Sequence, residues 1–521
     1  MTDLRVDDVP APNREQWIGF MGLVFGMFMA VLDIQIVASS IAQIQAGISA
    51  STDEVTWVQT SYLIAEVIII PLTGWLARVF STRYIYFTAA FGFTIMSVAA
   101  ACAWDINSMI IFRALQGIFG GIMIPTTFSV VYTMFPKRMQ PLMTVVIGSV
   151  VTMAPTIGPV LGGYLTEVFS WHVLFLINIV PGILVCLTTW VYVHVDQPHL
   201  ELLKKIDFLG IVYIALCLGS LQYVLEEGVR DQWFESKVIR NMSIVSLLAG
   251  ILFVRRSLTI ESPAVDIKAF QNTNFRLGCI FSFIIGCGLY VMVYLLPLEL
   301  SLIQGLSSYQ IGLYVSVVGV FQFMSAPIAA KLSKVMDLRL MMVLGFGLFG
   351  LGCHLNGGQT ADSGFWDFFP AQAVRGLSMM LCFMPINTLA LGTLPVSEVA
   401  NASGLYNLMR NLGGAIGLAV FNTFLSNWQK EKYSVLRENI DLTNNQVVSF
   451  IDNITDYLSS FSHLADANLS ALKILQDLAM REAIVMTFDD LYWLMGAIFF
   501  VSLCIIPFMK KVEFGGQTAG H

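Results

Sequence analysis

Five ionisable side chains lie inside long apolar segments of this 521-residue chain, namely Asp33, Glu66, Arg113, Arg375 and Arg410. A charged group in a hydrocarbon environment is costly, and such groups usually pair with one another or mark a path for protons or ions. A carboxyl can take up and release a proton, whereas an arginine stays charged. The residue types therefore indicate proton or cation binding.

Asp33 and Arg113 lie at similar depths in two different apolar segments. Asp33 is about seven residues, or ~10 Å, from the end of the first segment, and Arg113 is about six residues, or ~9 Å, from the start of the fourth. If those two ends face the same side, an ion pair between them would lower the cost of burying both charges. Two interpretations remain open, a permanent structural pair or a carboxylate that exchanges its partner when the arginine moves.

Glu66 lies about eleven residues into the second segment, close to its middle. A carboxyl at that depth without a fixed partner could carry a proton or bind a cation. The alternative is an acid that stays protonated and hydrogen-bonded to a neighbouring helix. For Arg375 and Arg410 we expect a structural role that holds the second half of the chain together.

Neutral polar residues also occur within the apolar segments. They could line a cavity, although each alone could equally join two helices by a hydrogen bond. These candidates are Gln35, Gln59, Gln116, Asn178, Gln222 and Asn387.

The composition identifies an all-α membrane protein. Only 12% of the residues are charged and 56% are hydrophobic, and the apolar residues form blocks of about 20, the length that crosses a bilayer. The eight cysteines show no disulfide or metal-ligand spacing. No phosphate loop, His-Glu-x-x-His or nucleophile elbow occurs, which argues against an ATP-driven pump or a hydrolase. We predict fourteen spans, at 18–40, 55–77, 84–104, 108–133, 140–167, 172–194, 206–226, 238–254, 276–299, 309–332, 340–357, 366–393, 400–427 and 490–509.

Lysine and arginine in the short loops favour one side, which predicts that both termini are cytoplasmic. The stretch Pro71 to Arg83 is echoed by Pro327 to Arg339, so we predict two related six-helix halves with the substrate site between them. The predicted order of spans is 6 + 2 + 6. The resulting units are an N-terminus (1–17), a first bundle (18–194), an inserted two-helix hairpin with its loops (195–275), a second bundle (276–509) that includes an extracytoplasmic loop (428–489), and a tail (510–521).

The fifth span carries Pro155, Gly158, Pro159, Gly162 and Gly163. The prolines should bend the helix, and the glycines should let a neighbouring helix approach closely. The order Gly-Pro-x-x-Gly-Gly resembles the antiporter motif of the major facilitator superfamily.

Nearly the whole chain resembles the fourteen-span drug:proton antiporter family, in its EmrB-like branch. Residues 31–37 and 111–117 are similar to its first-span and fourth-span motifs, and in the latter the arginine is associated with proton transfer. Residues 74–83, which end at Arg83, resemble the loop between spans two and three. That loop departs from the superfamily pattern, because Arg78 replaces an aspartate and Ser81 replaces a glycine. A conformational latch that uses this aspartate is therefore in doubt.

The resemblance implies a major facilitator fold in a bacterial inner membrane. The implied function is export of hydrophobic or amphipathic toxic compounds, driven by the proton gradient without a bound cofactor. Asp33 and Glu66 would take up the proton while Arg113 tunes Asp33. The resemblance also implies two partners, an adaptor protein in the periplasm and an outer-membrane channel. It implies no binding of nucleic acid. A dedicated metabolite or siderophore exporter, a proton-coupled importer and a non-transporting receptor remain alternatives.

The long loop 428–489 differs in composition from the spans. Apolar residues recur at helical spacing, first from Val447 to Phe461 and then at Leu469, Leu472, Leu475 and Leu478, which predicts two amphipathic helices. Such a lobe could cap the protein or dock a partner outside the membrane.

Overall fold

A computed structural model describes residues 12–260, 263–440, 445–459 and 464–511. The outer parts of both predicted tails (1–11 and 512–521) and Phe461 fall outside these ranges. Within the described residues fourteen helices are long and apolar enough to cross a membrane. The predicted all-α fold with fourteen spans is therefore confirmed.

The first half contains six spans, and two of them consist of several helices. The chain enters α1 through a capping box, in which the Asn13 side chain accepts from the Gln16 amide and Gln16 bonds back to the Asn13 amide. The helices are α1 (Arg14–Ser39), α2 (Ile41–Gly47), α3 (Thr52–Val55), α4 (Trp57–Ile69), α5 (Thr73–Phe80), α6 (Thr82–Ala101), α7 (Ile106–Met134), α8 (Gln140–Val168), α9 (Val173–Leu176) and α10 (Ile179–Tyr192).

The second span is interrupted at Pro71. A short 3₁₀ turn, Ile70–Leu72, separates α4 from α5, because proline has no amide hydrogen to continue the α-helical pattern. The turn between α5 and α6 lies at Ser81, whose backbone φ of 73° falls in the region that favours glycine. Asp196 holds this turn, since it accepts hydrogen bonds from Ser81 Oγ at 2.8 Å, Thr82 N at 2.8 Å and Thr82 Oγ1 at 2.9 Å.

Two helices form a hairpin between the halves, α11 (Phe208–Glu227) and α12 (Lys237–Thr259). Helix α11 packs against α4 of the first half and α17 of the second, whereas most of α12 contacts only α11 and short connecting segments. The hairpin is fixed at one end by Arg256, whose Nε donates to Asp207 Oδ1 at 2.5 Å.

The second half contains the remaining six spans. Its helices are α13 (Thr273–Gln304), α14 (Ser308–Leu332), α15 (Leu338–Asn356), α16 (Phe365–Leu391), α17 (Val396–Asn439), α18 (Asn445–Ser459) and α19 (Leu464–Ser502). We call the side of the molecule where the described chain begins and ends the termini side, and the opposite side the lobe side.

Helices α17 and α19 are much longer than a membrane is thick. They contain 44 and 39 residues, whereas about 20 residues cross the hydrocarbon core. Their extensions and α18 form the lobe, which replaces most of the predicted loop 428–489. Helix α19 packs against α17 and α18, and its lobe part carries both buried alanines and exposed leucines. The buried residues are Ala467, Ala471 and Ala479, whereas Leu469, Leu472 and Leu478 are 71%, 42% and 43% exposed.

The packing between the two halves differs between the termini side and the lobe side of the molecule. On the termini side, α17 packs against α5 and the turn before it. Helix α8 packs against α14 and α16 along the interface between the halves, as far as the cavity. On the lobe side, a cavity lies between α1 and α4 of one half and α13 and α17 of the other. The described conformation is therefore closed on the termini side and open on the lobe side.

Candidate functional site

Asp33 forms a buried ion pair with Arg113. Arg113 Nη1 donates to Asp33 Oδ2 at 2.6 Å, and both side chains have 0% exposure. The guanidinium is held from a second direction because its Nε donates to the Val58 carbonyl at 3.1 Å. The matching depths predicted from the sequence thus correspond to a direct contact between α1 and α7.

Two amides complete the surroundings of the Asp33 carboxylate. Asp33 Oδ1 accepts from Asn178 Nδ2 at 2.7 Å and from Gln116 Nε2 at 3.2 Å, and both amides also bond to Ser97 Oγ. Gln116 and Asn178 were predicted to line a cavity. The structure instead places them in this sealed cluster, since their amide groups are used to hold a buried carboxylate.

Tyr62 and Glu66 lie one helical turn apart on α4. The Tyr62 ring lies 4.3 Å from the Arg113 guanidinium carbon, an arrangement that favours the cation. Glu66 is 2% exposed and borders the cavity. Within the described chain, Glu66 Oε1 and the Tyr62 hydroxyl have no hydrogen-bond partner. Helix α4 therefore carries Glu66 at the cavity one turn beyond the residue that contacts the Asp33–Arg113 pair.

Glu66 faces the second half of the molecule. Its charged neighbour there is Arg410, and Asn411 is its polar neighbour, both on α17. Arg410 is 2% exposed, lies over the rings of Phe128 and Phe383 at 5.4 and 5.9 Å, and has two nitrogens without partners in the described residues. We expected Arg410 to stabilise the second half alone. The structure places it across the interface, because α17 turns this face towards α4 and α7.

The cavity has a volume of about 450 Å³ and a largely apolar wall. Three predicted cavity residues, Gln35, Gln59 and Gln222, line it. Tyrosines of α13, Tyr290 and Tyr294, form the opposite wall. Such a space suits an apolar molecule of drug size with a few polar groups to orient it.

The glycines of α8 determine how closely α1 approaches the cavity. A Cβ on Gly158 would clash with the Gln35 side chain, and one on Gly162 would lie 2.8 Å from the Ile36 carbonyl. Pro159 lines the cavity, while Pro155 is buried and Gly163 is half-buried on the same helix. Helix α8 continues through both prolines. The motif therefore packs α8 onto the part of α1 that carries Asp33 and Gln35.

The termini side is closed by backbone contact between the halves. A Cβ on Gly74 would lie 2.5 Å from the Asn401 Cα. The Asn401 side chain donates to the Asp266 carbonyl at 2.6 Å and accepts from its amide at 3.2 Å. Arg78, which replaces the aspartate of the superfamily pattern, has the Asp266 carboxylate as its charged neighbour. The charged neighbour of Arg78 therefore comes from the segment that follows the inserted hairpin.

Asn387 belongs to this closure and not to the cavity wall. Its side-chain oxygen accepts from the Tyr132 hydroxyl at 3.0 Å, and its carbonyl accepts at 3.1 Å. Tyr132 lies on α7 and Asn387 on α16, so the bond joins the two halves. The prediction that Asn387 lines a cavity does not fit this position.

The remaining arginines lie apart from the cavity. Arg83 Nη1 contacts His194 Nε2 at 2.9 Å, and its guanidinium lies 4.6 Å from the Trp190 ring centre, so it joins α6 to α10. Arg375 is buried inside the second half, where Nη1 lies 3.5 Å from the Met292 sulfur. Arg375 thus occupies the place in α16 that Arg113 occupies in α7, without an acid opposite it in the described residues.

Sequence reasoning did not identify Glu226, which lines the cavity. Glu226 is the last residue of the predicted span 206–226, so the sequence places it at the end of a span and not inside one. Gln222 and Glu226 are four residues apart and so share one face of a helix. That spacing was the available signal.

Comparison with known proteins is consistent with this architecture. Residues 23–418 match the model of the Major Facilitator Superfamily. The chain is 39% identical over 501 residues to the "Colistin resistance protein EmrB" of Acinetobacter baumannii, which covers 96% of this chain and 97% of that protein. It is 30% identical to the "Multidrug export protein EmrB" of Haemophilus influenzae over 95% of this chain and 96% of that protein. The solved structure of the proton:xylose symporter XylE superposes with a TM-score of 0.60 at 13% identity, over 95% of this chain and 96% of that one.

The fold and the matches define a secondary transporter, and the chain belongs to the major facilitator superfamily. Within it, both relatives named above are EmrB proteins that match this chain over nearly its full length, so the resemblance seen in the sequence is confirmed. The protein is a multi-pass protein of the bacterial inner membrane.

Proposed function

We propose that the protein exports amphipathic toxic compounds across the inner membrane in exchange for protons, by alternating access. The observation that carries the proposal is Glu66, a carboxyl at the wall of a largely apolar cavity that forms no ion pair with any residue the structure describes. It lies one helical turn after Tyr62, whose ring contacts Arg113 of the Asp33–Arg113 pair. The names of the relatives, which refer to multidrug export and to colistin resistance, support export of small hydrophobic compounds.

The direction follows from the distribution of basic residues, which predicts that the termini side is cytoplasmic. On that assignment the cavity is open to the periplasm, so this conformation releases substrate and accepts protons. A proton that enters the cavity neutralises Glu66 and removes its attraction to Arg410. The two halves can then rotate about the cavity and open to the cytoplasm.

Asp33 is the second proton acceptor in this scheme. Its carboxyl group is sealed in the described conformation, where Arg113, Gln116 and Asn178 all donate to it. Movement of α7 relative to α1 would withdraw Arg113 and leave the carboxylate free to take a proton. Arg113 thereby ties the protonation of Asp33 to the conformation of the first half. The proton gradient is the energy source, and the scheme requires no bound cofactor.

The lobe is a candidate site for partner proteins in a tripartite export system. Helices α17 and α19 carry it well beyond the hydrocarbon region, and its outer face presents Leu469, Leu472 and Leu478. Exposed apolar patches of this kind often mark protein interfaces. We propose that an adaptor in the periplasm docks there and connects the transporter to an outer-membrane channel.

The test is dye efflux from cells that lack their own pumps. Cells that express the protein should expel a dye such as ethidium, and an uncoupler should stop this efflux. Asp33→Asn and Glu66→Gln should each reduce the rate at least about tenfold, whereas Glu438→Gln, which changes an exposed carboxyl, should not. Efflux that persists with the uncoupler would contradict proton coupling, and well-expressed protein without efflux of any dye would favour a dedicated metabolite exporter.

A further inference from the structure

The inserted hairpin contributes one wall of the cavity. Gln222 and Glu226 of α11 line the cavity together with Gln59 of α4. A Cβ on Gly219 would lie 3.1 Å from Ile68, so α11 is in close contact with the part of α4 that bears Glu66. The substrate space is therefore formed by three units, two six-helix halves and the insertion.

The cavity wall is acidic. Among the described residues that line it, the charged side chains are Glu66 and Glu226, and no lysine, arginine or histidine occurs. Tyr290 and Tyr294 present aromatic rings to the same space. Aromatic faces and carboxylates both attract cations, and the attraction increases where water is excluded.

Glu226 has no basic partner in the described chain. Its Oε1 accepts one hydrogen bond, from Gln222 Nε2 at 2.8 Å, and it forms no ion pair among the described residues. The nearby Arg230 is engaged elsewhere, since it pairs with Glu227 at 2.8 Å and with Asp231 at 3.3 Å. The carboxyl of Glu226 thus lies at the cavity without a basic partner in the part of the chain that the structure describes.

Glu226 and Glu66 occupy different levels of the cavity. Trp57 at the start of α4 packs on Tyr223 with ring centres 5.7 Å apart, which places Glu226 near the lobe-side end of α4. Glu66 lies nine residues after Trp57, or about 13 Å along the helix. One carboxyl is therefore near the mouth and the other is deep, so binding at Glu226 need not displace the proton at Glu66.

We propose that Glu226 is a specificity-determining residue that binds the positive group of amphipathic cations, so that the inserted helix α11 selects substrates by charge. This inference rests on the proposed export function. The cation would lie near Glu226 with its apolar part against Tyr290 and Tyr294. A neutral compound would use the same apolar walls but gain nothing from the carboxylate.

The test compares two probes of similar shape and different charge on the purified full-length protein. Binding of tetraphenylphosphonium, a cation, and of triphenylphosphine oxide, which is neutral, is measured by quenching of tryptophan fluorescence without a proton gradient. Glu226→Gln should weaken binding of the cation at least about tenfold and binding of the neutral probe less than about twofold. Glu235→Gln, an exposed carboxyl of the same hairpin, should change neither.

Unchanged cation binding in Glu226→Gln, equal weakening of both probes, or a wild-type protein that does not bind the cation would overturn the proposal. If the glutamine variant is not monodisperse, Glu226→Asp provides the same test, because it keeps the charge but shortens its reach and should weaken only cation binding. A failure of proton coupling would leave these binding results unchanged. A failure here would leave coupling through Asp33 and Glu66 intact.

Discussion

At the scale of residues, the position of the Asp33 carboxyl group is fixed by hydrogen bonds from three side chains. One of them is Arg113, which also bonds to the Val58 carbonyl and lies over the Tyr62 ring. A planar guanidinium can make these contacts at once, whereas the single ammonium of lysine cannot. The geometry of the arginine, as well as its charge, therefore positions the proton-binding group.

This geometry predicts the behaviour of Arg113→Lys. The variant keeps the positive charge but cannot hold Asp33 and the Val58 carbonyl together, so uncoupler-sensitive efflux should fall at least about tenfold at normal expression. The measurement is the initial rate of dye efflux, corrected for the amount of protein in the membrane. A lysine variant with the wild-type rate would show that charge alone is sufficient.

The sequence predicted part of this site. Depth along two helices was enough to pair Asp33 with Arg113, because depth depends on residue count and on the side of entry. The partners of Gln116, Asn178 and Arg410 also depend on how each helix is rotated about its axis, which packing decides. For that reason Gln116 and Asn178 lie in the Asp33 cluster, and Arg410 lies near Glu66 of the first half as well as near Phe383 of its own half.

At the scale of elements, the closure of the termini side depends on the contact of α5 with α17. Gly74 permits the closure because its missing Cβ leaves space for the Asn401 backbone. The closure also uses Asp266, from the connection between α12 and α13, through its backbone bonds to Asn401. A side chain added at position 74 should therefore destabilise the conformation that is closed on the termini side and open on the lobe side.

Gly74→Leu should hold the termini side open. A clash in the closed state of about 1–3 kcal/mol shifts the conformational equilibrium and should reduce efflux about tenfold without loss of expression. Gly347→Leu is the matched control, since a Cβ at Gly347 meets nothing within 4 Å. The populations can be followed by distances between spin labels on α5 and α17. Unchanged distances in the Gly74 variant would refute this account of the closure.

The turn between α5 and α6 provides a stability prediction. Asp196→Ala removes the carboxylate that accepts hydrogen bonds from three donor groups of Ser81 and Thr82, and the free energy of unfolding should fall by about 1–3 kcal/mol. Thermal unfolding of the purified protein measures the change, with Glu201→Ala, an exposed carboxyl in the following segment, as the control. Equal melting temperatures for the two variants would mean that Asp196 does not stabilise the turn.

At the scale of the whole molecule, transport and partner docking occupy separate regions. The cavity lies between the halves, whereas the lobe is formed by the extensions of α17 and α19 together with α18. Substitutions on the outer face of the lobe should therefore leave transport by the isolated protein unchanged.

The double variant Leu469→Glu and Leu472→Glu tests this separation. It should retain proton-coupled dye transport in membrane vesicles but lower drug resistance of intact cells about tenfold, because the apolar docking face is lost. Lys473→Glu, which changes an exposed polar position of the same helix, should leave both unchanged. Full resistance in the double variant would assign the lobe a role other than docking.

The sequence predicted the fourteen spans well because the length of an apolar segment reports directly on whether it can cross the membrane. It did not predict that α17 and α19, which form the thirteenth and fourteenth spans, continue into the lobe, since their extensions are too polar to resemble spans. Nor did it place α11 at the cavity, because the internal repeat contains no counterpart of the hairpin. The position of such an insertion depends on its packing, chiefly against α4 and α17.

The most direct test of the central claim is proton exchange by the purified protein in liposomes that carry an acidic interior. Addition of a transported dye should raise the internal pH in proportion to dye uptake. Glu66→Gln and Asp33→Asn should each abolish this coupling, while Glu438→Gln should preserve it. Dye movement without a pH change in the wild type, or full coupling in both carboxyl variants, would contradict the account.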